Sequence, residues 1–241
     1  MKKSHKKLKI TLISVAVCLA VIIAACGVYF GTYYHAVSIE EYLESSDTVT
    51  VTEISSGYLF DGEGTDTALI FYPGAKVEFT SYAPLLFELA ENGVDCFLVK
   101  MPLNMAIFGV NKALSITAEY DYDTWIIGGH SLGGAMAASC AADNPDTFDV
   151  LLLLAAYTTK ELDESISVLS LYGSNDTVLS SDSYESGKAL VLGTFTEVII
   201  DGGNHAQFGS YGEQSGDGEA QISAQEQRDY VISALLDLLS I

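Results

Sequence analysis

The chain has 241 residues, 49% of them hydrophobic and 18% charged, with only four prolines, which excludes a disordered, collagen-like or disulfide-framework protein. Its formal net charge is −21, and a chain so acidic cannot neutralise phosphates, so nucleic acid is excluded as a partner. Five of the 11 basic residues, Lys2, Lys3, Lys6, Lys7 and Lys9, precede everything else; the part after His35 holds six bases against all 32 acids, a net −26.

Ile10 to Phe30 is a run of 21 residues without a charged side chain, long enough to cross a bilayer as a helix. With the lysines ahead of it, the basic end is expected to stay in the cytoplasm and the remainder to lie outside. Because the run exceeds the roughly 7 to 15 residues of a signal-peptide core, residues 1–36 are read first as a basic tail and membrane anchor. Two other readings stand beside it. Ile23-Ala24-Ala25-Cys26 has the form of a lipoprotein processing site, which would place lipid on the Cys26 sulfur, although apolar Gly27-Val28-Tyr29-Phe30 would then follow where a polar tether is usual. Cleavage as a secretory signal is the third. Each puts residues 37–241 at the extracytoplasmic side of the cell membrane, and that length suits one domain.

Along those residues, strands are predicted at Val49 to Ile54, Ala68 to Tyr72, Val94 to Val99, Thr124 to Ile127, Val150 to Ala155, Ile166 to Leu171 and Glu197 to Ile200. Several are apolar throughout, the pattern of strands covered on both faces. Helical patterns fall between them. Tyr82, Leu85, Leu86 and Leu89 recur at helical spacing with Gly93 placed to end the element, and Leu132, Met136 and Cys140 form an apolar stripe. Ser223-Ala224-Gln225-Glu226 reads as a capping box ahead of Val231, Leu235 and Leu238. The alternation predicts an α/β domain with a mostly parallel sheet flanked by helices. Cys96 and Cys140 are read as small buried side chains. Gly209 to Gly218 is the clearest loop, and Gly216-Asp217-Gly218-Glu219 lacks the alternating ligands of a calcium loop, so no metal or cofactor is expected.

Gly129-His130-Ser131-Leu132-Gly133 follows one predicted strand and opens a helix. This is G-x-S-x-G in the context its chemistry requires: a sharp turn lifts the serine hydroxyl above the sheet edge, and glycines leave room for the close backbone approach. A serine hydroxyl needs a base. Of four histidines, His5 lies in the tail, His35 borders the apolar run and His130 sits inside the turn, which leaves His205 in the loop Asp201-Gly202-Gly203-Asn204-His205. Asp176, directly after a predicted strand, completes the chain order nucleophile, acid, base; Asp182 is the alternative acid, and Asp201 stands too close in sequence to fold back on His205. The oxyanion requires two N–H donors. Leu132, after the nucleophile, supplies one, and Pro73-Gly74-Ala75-Lys76 should supply the other, from Ala75 or else Lys76.

Four segments, Tyr72-Pro73-Gly74-Ala75-Lys76-Val77, Val99-Lys100-Met101-Pro102-Leu103-Asn104, Gly129-His130-Ser131-Leu132-Gly133-Gly134 and Gly202-Gly203-Asn204-His205-Ala206-Gln207-Phe208-Gly209, together resemble a small bacterial family of α/β-hydrolase-fold proteins. Its members are often membrane-anchored and are related to dienelactone hydrolases. The similarity runs from Tyr33-Tyr34-His35-Ala36 to the C-terminus. It implies the α/β-hydrolase fold and a Ser131-Asp176-His205 triad. Dienelactone hydrolases use a cysteine nucleophile where this chain has Ser131, which points to general ester chemistry.

Only about ten residues separate Ala155 from Ile166, where such folds usually insert a lid, so no substantial lid domain is expected. The expected activity is cleavage of small-molecule carboxylic esters through an acyl-enzyme. A peptidase or amidase would use the same triad, and a cell-surface binding protein could retain the scaffold without catalysis.

Overall fold

A computed structural model describes residues 2–64 and 66–240, with side chains from residue 12 onward. The described residues form two compact units that divide between Tyr33 and Tyr34. The first is one helix, α1 (Lys2–Gly31). Its segment Leu12–Gly31 is long and apolar enough to cross a membrane, a property that an anchor and a signal sequence share.

The second unit is built on an eight-stranded sheet in the order β1-β2-β4-β3-β5-β6-β7-β8. The strands are β1 (Thr50–Ile54), β2 (Gly57–Asp61), β3 (Thr67–Tyr72), β4 (Asp95–Val99), β5 (Thr124–His130), β6 (Val150–Leu154), β7 (Ser167–Gly173) and β8 (Phe195–Ile200). β1 and β2 pair antiparallel and β2 runs antiparallel to β4, whereas β4, β3, β5, β6, β7 and β8 are mutually parallel. All seven predicted strands are present. The eighth, β2, was not predicted: the expected strand ends at Ile54, and after Ser55-Ser56 the short run Gly57–Asp61 folds back on β1 as a hairpin. β5 continues past Ile127 to His130, because Gly129 and His130 keep pairing with Leu153 and Leu154 of β6.

The helices of this unit are α2 (Ala83–Glu91), α3 (Lys112–Thr117), α4 (Leu132–Asp143), α5 (Ser181–Lys188) and α6 (Ala224–Leu239). In α2 the expected face is the buried one, with Leu85, Leu86 and Leu89 at 1% exposure or less, and Gly93 adopts the left-handed φ of 88° just past its end. The capping box of α6 forms as predicted between Ser223 and Glu226. In α4 the stripe needs correction. Leu132 and Met136 are only partly buried, and the face against the sheet is made of Gly133, Gly134, Ala137, Ala138, Cys140 and Ala141. Small side chains bring the helix axis close to the strands, which a large apolar stripe would prevent. Helices α3 and α5 were not anticipated, being short and rich in polar residues.

Two apolar layers cover the two sheet faces. One gathers Phe60, Phe71, Tyr82, Leu86, Leu98 and Leu235, and the other Tyr72, Phe97, Trp125, Ile127, Leu153 and Val168. Cys96 and Cys140 are both free and buried, in agreement with their reading as core side chains. Between β6 and β7 the chain makes only bends, a bridge and a turn, so the domain has no lid helix there.

Candidate active site

Parallel strands end at one edge of a sheet, and the loops leaving that edge are where side chains from distant parts of the sequence converge. Ser131 leaves β5, Asp176 leaves β7 and His205 leaves β8 at this same edge.

Ser131 occupies φ 54°, ψ −124°, a strained conformation for a residue with a β-carbon, and it is the N-cap of α4. Its neighbours must be glycine. A β-carbon on Gly129 would stand 2.5 Å from the Tyr72 carbonyl oxygen, and one on Gly133 would press into the carbonyls of Tyr72 and Pro73. The turn is therefore clamped between the end of β3 and the first turn of α4. Being the first residue of that helix, Leu132 has an N–H with no intrahelical acceptor, and it lies at the positive end of the helix dipole.

His205 is 2% exposed. Its Nδ1 lies 2.8 Å from Asp176 Oδ2, and the Asp176 side chain is fully buried. The other carboxylate oxygen, Oδ1, accepts from the N–H groups of Val178 and Leu179, each at 2.8 Å. One oxygen thus fixes the carboxylate to its own loop while the other is turned to the imidazole. Neither alternative acid reaches His205: Asp182 is exposed in the first turn of α5, and Asp201 is exposed and accepts from Ser174 Oγ at 3.4 Å.

The His205 loop is held from behind by groups that carried no sequence motif. Gln227 of α6, fully buried, accepts from Asn204 N–H at 3.0 Å and donates to its carbonyl at 2.8 Å. Asp217 Oδ2 accepts from Ala206 N–H at 2.8 Å. The Gly209 to Gly218 loop is thereby fastened to the residue following His205.

The Pro73-Gly74-Ala75-Lys76 turn has a defined register. Lys76 N–H donates to the Asn104 carbonyl at 2.8 Å, whereas among the described residues no such bond takes the Ala75 N–H. Gly74 N–H donates to Tyr82 Oη at 3.0 Å. Tyr82 Oη is in turn 2.8 Å from His130 Nδ1, so one hydroxyl links this turn to the buried imidazole. The His130 ring then packs on the His205 ring, with centroids 4.5 Å apart. Burial holds the His130 pKa well below the ordinary 6.5, and the charge His205 would carry acts in the same direction. His130 was read only as part of the turn. Its place next to a strained serine at a strand end was the available sign that it would be buried.

Among the described residues, no group of three or more His, Cys, Asp or Glu side chains converges as metal ligands would.

A parallel sheet with a strained serine between strand and helix, and a buried acid–histidine pair on later loops, is the architecture of a hydrolytic enzyme. The model of the alpha/beta hydrolase family matches residues 68–229, and the chain belongs to that family of enzymes. The chain is similar in sequence to a putative non-heme haloperoxidase of Mycobacterium phage D29, 28% identical over 115 residues; that match takes in 44% of this chain and only 41% of the relative's length. Among solved structures, it resembles a dienelactone hydrolase from Anabaena variabilis, with TM-score 0.59 and 13% identity, covering 79% of this chain and 98% of that one. A predicted CIB-like hydrolase from Thermoplasma acidophilum gives TM-score 0.57 and 14% identity over 78% of this chain and 99% of that one. At such identities the structural likeness concerns the fold.

Proposed function

We propose that the chain is a serine hydrolase of small-molecule carboxylic esters, with residues 1–36 anchoring residues 37–241 to the outer side of the cell membrane. The observation that carries the enzymatic reading is the buried 2.8 Å contact of Asp176 with His205, on a ring packed against the residue that precedes Ser131. With Nδ1 bonded to the carboxylate, His205 presents Nε2 as the atom that takes a proton.

In the reaction, Ser131 Oγ attacks the ester carbonyl carbon while His205 Nε2 removes the hydroxyl proton. The carbonyl electron pair moves onto oxygen, where the N–H groups of Leu132 and Ala75 stabilise the charge. Collapse of this intermediate breaks the bond to the alcohol, which leaves with the proton held by His205. An acyl group remains on Ser131. Water then attacks the acyl carbon, losing its proton to His205, and collapse releases the acid and restores the serine. Asp176 keeps the imidazole in the tautomer and orientation that both steps need.

A fluorophosphonate probe tests this directly, because it forms a covalent bond only with an activated serine. The full chain should be labelled and should hydrolyse 4-nitrophenyl acetate, and Ser131→Ala should do neither. Equal labelling of Ser131→Ala would refute the assignment.

A further inference from the structure

Tyr34 is the first residue of the second compact unit, and only Thr32 and Tyr33 separate it from the last residue of α1. A passive tether at that place would be flexible and rich in Gly or Ser. Tyr34 to Val37 is instead bonded into the two loops that carry opposite halves of the site. On one side, Tyr34 forms an isolated parallel bridge with Val77. Its N–H donates to the Lys76 carbonyl at 2.7 Å, and its carbonyl accepts from the Glu78 N–H at 2.8 Å. Glu78 Oε2 accepts in addition from the Ala36 N–H at 3.0 Å. On the other side, Val37 N–H donates to the Ser210 carbonyl at 2.9 Å. Tyr34 Oη accepts from the Ser215 N–H at 3.2 Å, and the Tyr34 ring packs on Tyr211 with centroids 5.5 Å apart.

These attachments lie next to groups of the proposed reaction. Lys76 follows Ala75 and takes a left-handed φ of 57°, a conformation that a residue with a β-carbon keeps only where its surroundings impose it. Both of its backbone groups are held, the N–H by the Asn104 carbonyl and the carbonyl by Tyr34, and this fixes the end of the turn on which the Ala75 N–H sits. Ser210 and Ser215 belong to the loop whose Asp217 holds the Ala206 N–H, beside His205. Tyr211 also faces the His130 ring. A further bond, from Ser210 N–H to the Ser81 carbonyl at 2.7 Å, joins the Ser210 loop to the segment after the turn. Loss of the Tyr34 contacts would therefore loosen the site without unfolding it.

We propose that Tyr34 to Val37 is a positioning strap that sets the oxyanion turn against the His205 loop, so that the connection leading from α1 is a working part of the catalytic unit. The proposal rests on the serine-hydrolase reading above. Tyr34 is its central residue, because its backbone binds Lys76 and Glu78 while its side chain binds Ser215 and Tyr211.

The test is hydrolysis of 4-nitrophenyl acetate by the full chain in lipid nanodiscs. In Tyr34→Ala, and in Val37→Pro, which removes the donor to Ser210, kcat should fall about tenfold with KM nearly unchanged. That is less than the roughly 10²- to 10³-fold cost of losing an oxyanion donor outright. Affinity for phenylboronic acid, whose tetrahedral serine adduct places an oxygen where the oxyanion forms, should weaken by a similar factor. Tyr34→Phe keeps the ring on Tyr211 and should restore kcat to within about threefold of the wild type. A merely structural strap would lower the urea midpoint of the variants and leave kcat per folded molecule and boronate affinity as they were; that result overturns the proposal. Hydrogen exchange of the unaltered chain covers the case in which the variants do not fold. The amides of Tyr34 and Val37 should be protected, and phenylboronic acid should slow their exchange together with that of the segments holding Ala75 and Ala206. Unprotected amides there, or exchange that the boronate leaves unchanged in a wild type that is active, overturn the strap alone. A wild type that neither hydrolyses the ester nor reacts with a fluorophosphonate overturns the serine-hydrolase reading and the strap with it.

Discussion

His130 provides a test of the site that does not depend on turnover. It is 1% exposed, and the groups facing it are Tyr82, Phe208, Tyr211 and His205, none of them an acid. Burial is the largest cause of its lowered pKa, followed by the charge of His205; the His205 backbone offsets only part, since it offers no acceptor in hydrogen-bond geometry to Nε2. Unfolded, the same histidine titrates near ~6.5. Below that pH the unfolded chain binds a proton that the folded chain refuses, so stability is fully present above about pH 6.5 and is lost as pH falls. One proton difference is worth about 1.4 kcal/mol per pH unit, so this residue alone should remove up to about 1.4 kcal/mol by pH 5.5. The loss ends only when the pH reaches the depressed folded value. Trp125, the single tryptophan, lies in β5 at 8% exposure and reports unfolding of the strand that carries Ser131. Urea titrations followed by its fluorescence at pH 7.5 and pH 5.5 give the pH-dependent loss for the wild type and for His130→Gln. The variant starts lower, because Tyr82 and the ring's packing partners are disturbed, but it should lose about 1.4 kcal/mol less between the two pH values. Equal losses would show that His130 is not held neutral inside the fold.

Asp176→Asn keeps the shape of the acid but removes the charge that orients and stabilises the imidazole, and it should lower kcat by several orders of magnitude with a much smaller effect on KM; near wild-type turnover would remove Asp176 from the mechanism. Gln227→Leu leaves the N–H and carbonyl of buried Asn204 unpaired, which should cost about 2–6 kcal/mol of stability and reduce kcat through the displaced His205, as urea titration and esterase assay would show. Gly133→Ala drives a methyl group into the carbonyls of Tyr72 and Pro73 and should abolish fluorophosphonate labelling by opening the turn. Cys26→Ala should leave the protein in the membrane fraction with residues before Cys26 still attached in the mature mass; release, or a precursor in place of a lipidated shorter form, would favour lipoprotein processing.

What was legible in the sequence was whatever depends on contacts local in the chain. Apolar runs such as Val150 to Leu154 had to be covered strands, and Ser223 with Glu226 had to cap a helix, because hydrophobic period and capping operate within a few residues. The strand–turn–helix around Ser131 was legible for the same reason, since two glycines and a serine define a backbone path by themselves. β2 was missed because what makes Gly57–Asp61 a strand is its pairing with β1 and β4, contacts outside its own five residues. The face of α4 was misjudged because its packing is decided by how closely Tyr72 and Ala156 approach, not by the helix's own stripe. The supporting roles of Gln227, Asp217 and Tyr82 left no local trace: Gln227 is 23 residues from Asn204, and Tyr82 is 48 residues from His130.

These distant supports converge on one point. Gly74 in the oxyanion turn donates to Tyr82, the Tyr82 hydroxyl is hydrogen-bonded to His130, and the His130 ring lies against His205. The same Gly74-Ala75-Lys76 turn is joined through Asn104 to the loop bearing Leu103, Ile107 and Phe108. In the proposed reaction the oxyanion donors and the base must keep a fixed mutual geometry while charge moves from the serine to the carbonyl oxygen. A neutral His130 transmits position without adding a positive charge beside His205, which would oppose its protonation. A tyrosine–histidine pair buried from water meets that requirement better than an ion pair could, because neither partner carries a charge that the developing oxyanion or imidazolium would perturb.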